Sequence, residues 1–371
     1  MIAVLYSADL LAAIEACACP GHPLGGIARR ATRVAEARAE TDAVVVVDAG
    51  DLLFRSAAEL AGKPAPDKRE VARRAWLLAG VYRRIGIDAL APGDRDLALG
   101  LPLLRRVAAD ARLPLVSANL YGRDGGRLFD ADRVIDTAGV RVGVFGVTGP
   151  AGAEDVNAWR AAGIEARDPI AAARDAAESL RARGAAIVIA LVHVGDAATT
   201  RRLLEAVPGI DWAVVGHAGM RHETPERVGT ARMLAAMSEG KELGRLDLHV
   251  VAGSVAFVDR GERGDLAAIL ADHRRQRASA DQPVLGIDPA SLADYYEGRH
   301  KQLETAIERE AAALARLPRE ITGSWFENRL LALDPATPEE PGIAGLVAMY
   351  RRDGRGKGGG PPPSRSQTLP R

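Results

Sequence analysis

The stretch DWAVVGHAGM, residues 211–220, decides how the rest of the chain is read. Val214 and Val215 favour a pleated backbone and Gly216 lets the chain turn, so His217 stands at the carboxyl end of a short buried strand. In open α/β sheets that end is where ligands are held. One imidazole there can serve as a metal ligand, a general base or a packed ring. Two residues on, where a second imidazole would complete a pair, stands Gly219.

Outward from this stretch, short β-branched runs alternate with Ala/Arg/Leu-rich amphipathic segments. Strands are expected at IAVLYS (2–7), AVVVVDAG (43–50), IDALAPG (87–93), LPLVSANL (113–120), VRVGVFGVT (140–148), AAIVIALVHVG (185–195) and DWAVVGH (211–217). Helical periods lie between them at 29–40, 68–86 and 168–184, the last opening on an Asp168 cap and closing on Gly184. This alternation argues for an α/β domain with buried, partly parallel sheets. After residue 230 the period changes to two, and GRLDLHVVAGSVAFVDRG (244–261) reads as a β-hairpin turning near Ala252 and Gly253. From 263 onward the pattern is mostly helical, with Leu303, Ile307, Ala311 and Leu314 on one face of 291–317. SWFENRLLALDP (324–335) reads as one more strand, followed by a short helix near 342–351. The Gly/Pro/Ser-rich tail reads as disordered.

Composition narrows the classes. The chain has 371 residues, 26% charged and 47% apolar, enough for one large core. Its formal net charge is zero, so nothing favours nucleic acid or an anionic membrane as partner. No run of 18 apolar residues exists, so no helical membrane span is expected. MIAVLYSADLL has no basic n-region, h-region or cleavage site, so the chain as given is expected in the cytoplasm. Cys17 and Cys19 cannot make a disulfide framework, and a bridge across one residue is expected to be strained.

Several strand ends finish alike, with Asp or His beside Gly: Asp9 after the first strand, Asp48 and Asp51 in DAGD, Asp94 and Asp96 in PGDRD, His193 in VHVG and His217 in GHAG. A doubly wound sheet brings such residues to one edge, and converging carboxylates and imidazoles are what a hard or borderline divalent metal needs. The bland reading weighs about equally, because Asp–Gly turns punctuate loops and a lone His is often structural.

The order of these elements resembles the calcineurin-like metallophosphoesterase superfamily, within it the 5′-nucleotidase/UDP-sugar hydrolase branch, in a subgroup with a degenerate metal site. The family pattern runs Asp-x-His, Gly-Asp, Gly-Asn-His-(Asp/Glu), a lone His, then Gly-His-x-His. This chain has Asp9-Leu10-Leu11, Gly50-Asp51, Gly93-Asp94-Arg95-Asp96, His193 and Gly216-His217-Ala218-Gly219, over about residues 1–260. The resemblance implies a four-layer αββα sandwich over 1–262, with a helical appendix carrying one strand at 263–352 and a disordered tail at 353–371.

The departures carry equal information. In the family, one metal is held by the Asp-x-His pair, the bridging Asp and the last His; here Leu11 and Gly219 replace both imidazoles. The other metal's ligands correspond to Asp51, Asp94 in the Asn position, His193 and His217. The resemblance therefore implies one divalent ion (Mn, Zn, Fe or Mg), with Asp9, Asp51, Asp94, His193 and His217 as metal residues. The family's acid after the Asn is here Arg95, which cannot give up a proton near neutral pH but forks phosphate oxygens well. Arg95 and Asp96 are the catalytic candidates. The competing reading pairs Arg95 with Asp94 or Asp96, neutralising an empty site.

Members of the branch also carry a C-terminal domain that stacks the nucleobase between aromatic rings. The helical reading of the last 110 residues leaves that module out, with Trp325, Phe326, Tyr295 and Tyr296 read as packing of the appendix. Cys17-x-Cys19-x-x-His22 offers soft ligands, yet three groups on one small loop rarely close a zinc site, so packed loop thiols weigh roughly twice a metal or redox role. His22 and His222 are spare imidazoles near the candidate site in sequence. The expected activity is metal-dependent hydrolysis of a small phosphorylated substrate, an ester or anhydride. The alternative is a catalytically inactive pseudoenzyme acting as a binding or scaffold module.

Overall fold

The computed structural model describes residues 1–55, 65–217, 219–251, 256–280 and 293–355. The chain opens with β1 (Ile2–Ser7), α1 (Ile27–Glu40), β2 (Val44–Asp48), α2 (Ala65–Ile85), β3 (Ala89–Leu90) and α3 (Leu101–Ala111). It continues through β4 (Leu120–Gly122), β5 (Asp132–Thr137), β6 (Val140–Thr148), α4 (Ala153–Ala162), β7 (Ile164–Ala166), α5 (Pro169–Ala182), β8 (Ile187–His193) and α6 (Ala197–Ala206). Then come β9 (Trp212–Val215), β10 (Glu226–Val228), β11 (Ala231–Leu234), β12 (Glu242–His249), β13 (Val258–Asp259), α7 (Glu262–Ser279), α8 (Ala293–Arg316), β14 (Trp325–Ala332) and α9 (Pro341–Arg355).

Two compact units divide the chain: Met1–Leu246 with Asn328–Arg371, and Asp247–Glu327. The first holds two sheets. In one, β14, β12, β1, β2 and β3 lie side by side, with β1, β2 and β3 parallel; the other runs β10-β11-β9-β8-β6-β5. β6, β8, β9 and β11 are parallel, and the antiparallel strands β5 and β10 close the edges. Parallel strands are covered on both faces, and every residue of β8, IVIALVH, is buried.

Alternation along the strands distributes the core. Leu5, Val46 and Leu90 pack with α1, α2, α3 and α9, while Val188, Ala190, Val192, Ala213 and Val215 pack with α5 and α6. Residues of the opposite parity, such as Val4, Tyr6, Val45, Val47, Ile189, Leu191 and Trp212, are buried and belong to neither helix-facing cluster, which leaves them the sheet-to-sheet face. The result is an α/β fold of two sheets with helices outside. Local rules set the helix ends: Asp168 caps α5 by accepting from the Ile170 amide, and Gly184 takes φ +82° beyond it.

The second unit pairs helices α7 and α8. His273 Nδ1 meets Glu310 Oε2 at 2.7 Å, and Arg263 caps α8 through the carbonyls of Leu314 and Leu317. The expected appendix at 263–352 differs from this division, since α9 and the end of β14 group with the first unit. The hairpin expected at 244–261 does not form. β13 pairs in parallel with Trp325 and Phe326 at the start of β14, because a strand from further along the chain takes the hydrogen-bonding edge that a hairpin partner would need. The turn at 252–255 and the tail at 356–371 lie outside the described residues. Segment 113–120 supplies single bridges at Leu115 and Val116, not a full strand. The two cysteines, expected as unbridged thiols, are joined as a disulfide; the loop brings their Cα atoms to 5.2 Å, within the span a bridge requires.

Candidate metal centre

The carboxyl ends of β2, β3, β8 and β9 bring the predicted residues to one edge. Among the described residues one group of possible metal ligands converges: Asp51, Asp94, His193 and His217, whose ligand atoms all lie within 4.8 Å of one another. Asp51 and His193 are fully buried. His193 Nε2 is 2.9 Å from Asp94 Oδ1 and 3.5 Å from Asp51 Oδ1. His217 Nδ1 is 3.0 Å from Asp94 Oδ1, off the line of a hydrogen bond, and 3.9 Å from Asp51 Oδ2.

The backbone holds these side chains under tension. Asp9, Asp51 and His217 all adopt left-handed φ, at +54°, +54° and +62°. Such conformations cost of order 1–3 kcal/mol each and persist only where surrounding contacts impose them. Two glycines make room for the ligands. A Cβ on Gly93 would collide with the side chain and amide of Asp51, and one on Gly216 would lie 2.6 Å from His193 Nδ1.

His193 is oriented from behind: its Nδ1 lies 2.7 Å from Ala49 O, so Nδ1–H donates to that carbonyl and Nε2 faces the cluster. Burial opposes its charge, but Asp51 and Asp94 raise His193 well above an ordinary imidazole. The same two carboxylates raise His217 to about 9. In turn, burial pulls Asp51 and Asp94 upward, and the two imidazoles outweigh it and hold both carboxyls below the usual range. Without an ion the cluster is thus two imidazolium–carboxylate pairs.

The donor set fits a divalent cation. Asp51 Oδ2 and His217 Nδ1 are buried atoms that make no hydrogen bond among the described residues, and each faces the cluster. Two carboxylates and two imidazoles suit Zn²⁺, Mn²⁺ or Fe²⁺ at the distances such ions require.

Three expected site residues take other positions. Asp9 does not join the ligand group: both of its oxygens accept from the His217 amide, at 3.0 and 2.9 Å, and burial raises its carboxyl to about 6. Asp96 faces away from the cluster, because its oxygens hold the amides of Leu53 (2.7 Å) and Gly93 (2.9 Å); burial and the charge of Asp51 raise it to about 7. Arg95 pairs with neither Asp94 nor Asp96. Its Nε lies 3.3 Å from Asp51 Oδ2, and its amide donates to Asp51 Oδ1 at 2.9 Å. The spare imidazoles stay out: His22 is exposed, and His222 lies 3.9 Å from Glu226. Leu11 gives its amide to Asp51 O, and Gly219 stands exposed with open space at its Cβ position.

Sequence reasoning listed Asp48 among the strand-end carboxylates but missed the buried partners that hold it. Asp48 accepts from Ser7 Oγ (2.5 Å), Tyr82 Oη (3.0 Å) and the Gly50 amide (2.9 Å), and buried Arg30 reaches Ser7 Oγ at 2.6 Å. A charged residue at the end of the VVVVD strand was the only signal of these partners.

Carboxylates and imidazoles gathered beyond the strand ends of a two-sheet α/β fold make a group that could hold a metal ion. The chain is similar to members of the calcineurin-like metallophosphoesterase superfamily, on its 5′-nucleotidase branch. It is 29% identical over 173 residues to a 5′-nucleotidase of Vibrio cholerae, a match covering 46% of this chain and 30% of that protein. Among solved structures it is similar to the calcineurin-like phosphoesterase YfkN of Bacillus subtilis (TM-score 0.61, 16% identity, 95% of this chain and 97% of that one). It is also similar to the sulfate thiohydrolase SoxB of Thermus thermophilus (TM-score 0.63, 16% identity, 95% of this chain and 60% of that one). No family model matches the chain. Among the described residues no helix is long and apolar enough to cross a membrane.

Proposed function

We propose that the chain is a metal-dependent phosphoesterase that binds one divalent ion through Asp51, Asp94, His193 and His217 and hydrolyses small phosphate esters or anhydrides. The observation that carries this reading is the convergence of those four side chains, with Asp51 Oδ2 and His217 Nδ1 making no hydrogen bond among the described residues. A cation bound there supplies Lewis-acid polarisation of a phosphoryl oxygen. Arg95 binds the same group: Nε stays near Asp51, and the terminal nitrogens, which have no hydrogen bond among the described residues, fork phosphate oxygens.

Arg95 holds its proton near neutral pH, and Asp96 commits its oxygens to two backbone amides. This loop therefore gives no proton to a leaving alkoxide. The substrates are those whose leaving group needs none: aryl phosphates and anhydrides ahead of alkyl monoesters. The replacement of two family imidazoles by Leu11 and Gly219 supports a single ion in place of a pair.

A second reading is favoured by the Arg95–Asp51 pair, which sets a third cation beside two carboxylates that the imidazoliums already balance and suits a binding module that has lost turnover. A Mn²⁺-supplemented screen of aryl phosphates, anhydrides and alkyl monoesters, with elemental analysis of bound metal, separates the two. Turnover abolished by Asp51→Ala supports the enzyme. Bound metal with no turnover of any ester supports the binding module, and efficient alkyl-ester hydrolysis contradicts the role assigned to Arg95.

A further inference from the structure

We propose that the Cys17–Cys19 disulfide is a thiol–disulfide exchange site, opened by attack of an external thiolate on Cys19 with Cys17 as the leaving sulfur. The span of the bridge is the first observation. In the chain-entropy account a cross-link stabilises a fold with the logarithm of the loop it closes, so a bridge across one residue contributes little. An exposed disulfide of small structural value belongs to the labile, reactive kind.

The two sulfurs are unlike. Cys19 is exposed, between exposed Ala18 and Pro20. Cys17 is half-buried, its amide bonded to Leu24 O at 2.8 Å, and the Leu24 amide donates to Cys17 Sγ at 3.4 Å. An N–H aimed at sulfur stabilises the charge that collects on a departing thiolate, and a better leaving thiolate exchanges faster. Access therefore selects Cys19 for attack, and hydrogen bonding selects Cys17 to leave. Cys17 also lines a cavity of about 480 Å³, bounded by Ala12, Arg55, Arg74, Glu239 and Tyr350, which gives the departing Cys17 sulfur room to move.

The co-reactant is a dithiol. One of its thiols loses a proton to solvent and attacks Cys19 Sγ; a new S–S bond forms to Cys19, the Cys17–Cys19 bond breaks, and Cys17 leaves as a thiolate that takes up a proton. The second thiol, deprotonated in turn, attacks the reductant's own sulfur in the mixed disulfide and Cys19 leaves. The dithiol is oxidised to its disulfide, and the protein gains two electrons.

The test uses the folded full chain with glutathione, quenched with N-ethylmaleimide, and mass-spectrometric fragments that separate residues 17 and 19. Glutathione on Cys19 with maleimide on Cys17 is expected. With dithiothreitol both cysteines should become alkylated while the melting temperature moves little. In Cys17→Ser, treated with glutathione disulfide, the Cys19 thiolate attacks and one glutathione leaves, and the Cys19–glutathione adduct should then persist, since no neighbouring thiol expels it. Glutathione on Cys17, or a bridge that resists both thiols until the protein is unfolded, overturns the assignment.

Discussion

Asp9 holds the backbone of His217 across 208 residues of sequence, both carboxylate oxygens accepting the one amide. His217 sits at φ +62°, a conformation a histidine does not choose unaided, so Asp9 fixes the ring's place in the cluster without contributing a ligand atom. Asp9→Ala should weaken Mn²⁺ or Zn²⁺ binding about 10–100-fold, the usual cost of losing a supporting residue. Titration calorimetry decides it: loss as complete as in Asp51→Ala makes Asp9 a direct ligand, and unchanged affinity removes its positioning role.

Arg95 places a guanidinium 3.3 Å from Asp51 Oδ2, a cation beside a site for a cation. Arg95→Leu should raise divalent-metal affinity several-fold to about tenfold, the partial exposure of the side chain screening a larger effect. The same change should weaken inorganic phosphate binding to the metal-loaded protein. Competition titrations with a metal indicator give the first quantity and phosphate-dependent melting shifts the second. Unaltered phosphate binding would leave Arg95 only its role as partner of Asp51.

Metal uptake should release protons, one from each imidazole. His193 is raised well above 6.5 and His217 to about 9, so both are charged at pH 7, whereas a ligand imidazole must be neutral. Apparent metal affinity should therefore climb as pH rises from 6 towards 9. For the metal-free protein the sign reverses. A raised folded pKa adds stability that is complete below about 6.5, the unfolded value, and for His217 that stability is lost as pH rises through about 9. Calorimetry in buffers of different ionisation enthalpy, with melting curves at pH 6 and 9.5, checks both. Metal binding without proton release contradicts the charged pairs.

Gly93→Ala and Gly216→Ala test the packing behind the ligands. Each added methyl meets a site group that cannot retreat, so each should destabilise the fold by roughly 1–3 kcal/mol, as overpacking does. Gly219→Ala, with open space at its Cβ position, should cost less, through its φ of +59° alone. Denaturant titrations give the order, and equal costs at all three positions would mean the crowding at Gly93 and Gly216 relaxes freely.

By itself the sequence determined the elements with strong local periodicity. IVIALVH could only be a buried strand, and Asp168 with Gly184 bounded a helix, because burial and capping act within a few residues. It also named the four side chains that converge, since each follows an apolar strand whose end must face the same edge. Tertiary structure alone decided what those residues touch. Asp9 was legible as a strand-end carboxylate, but its turn towards the His217 amide depends on a loop 208 positions away. Arg95 was legible as a cation among acids, and only the fold chose Asp51 over Asp94 and Asp96. The expected hairpin yielded to β14 because an edge strand's free hydrogen bonds go to whichever segment packing brings beside them. Local energies fix element type, whereas partner choice among like-charged or like-patterned segments is settled by burial and geometry that no short window of sequence contains.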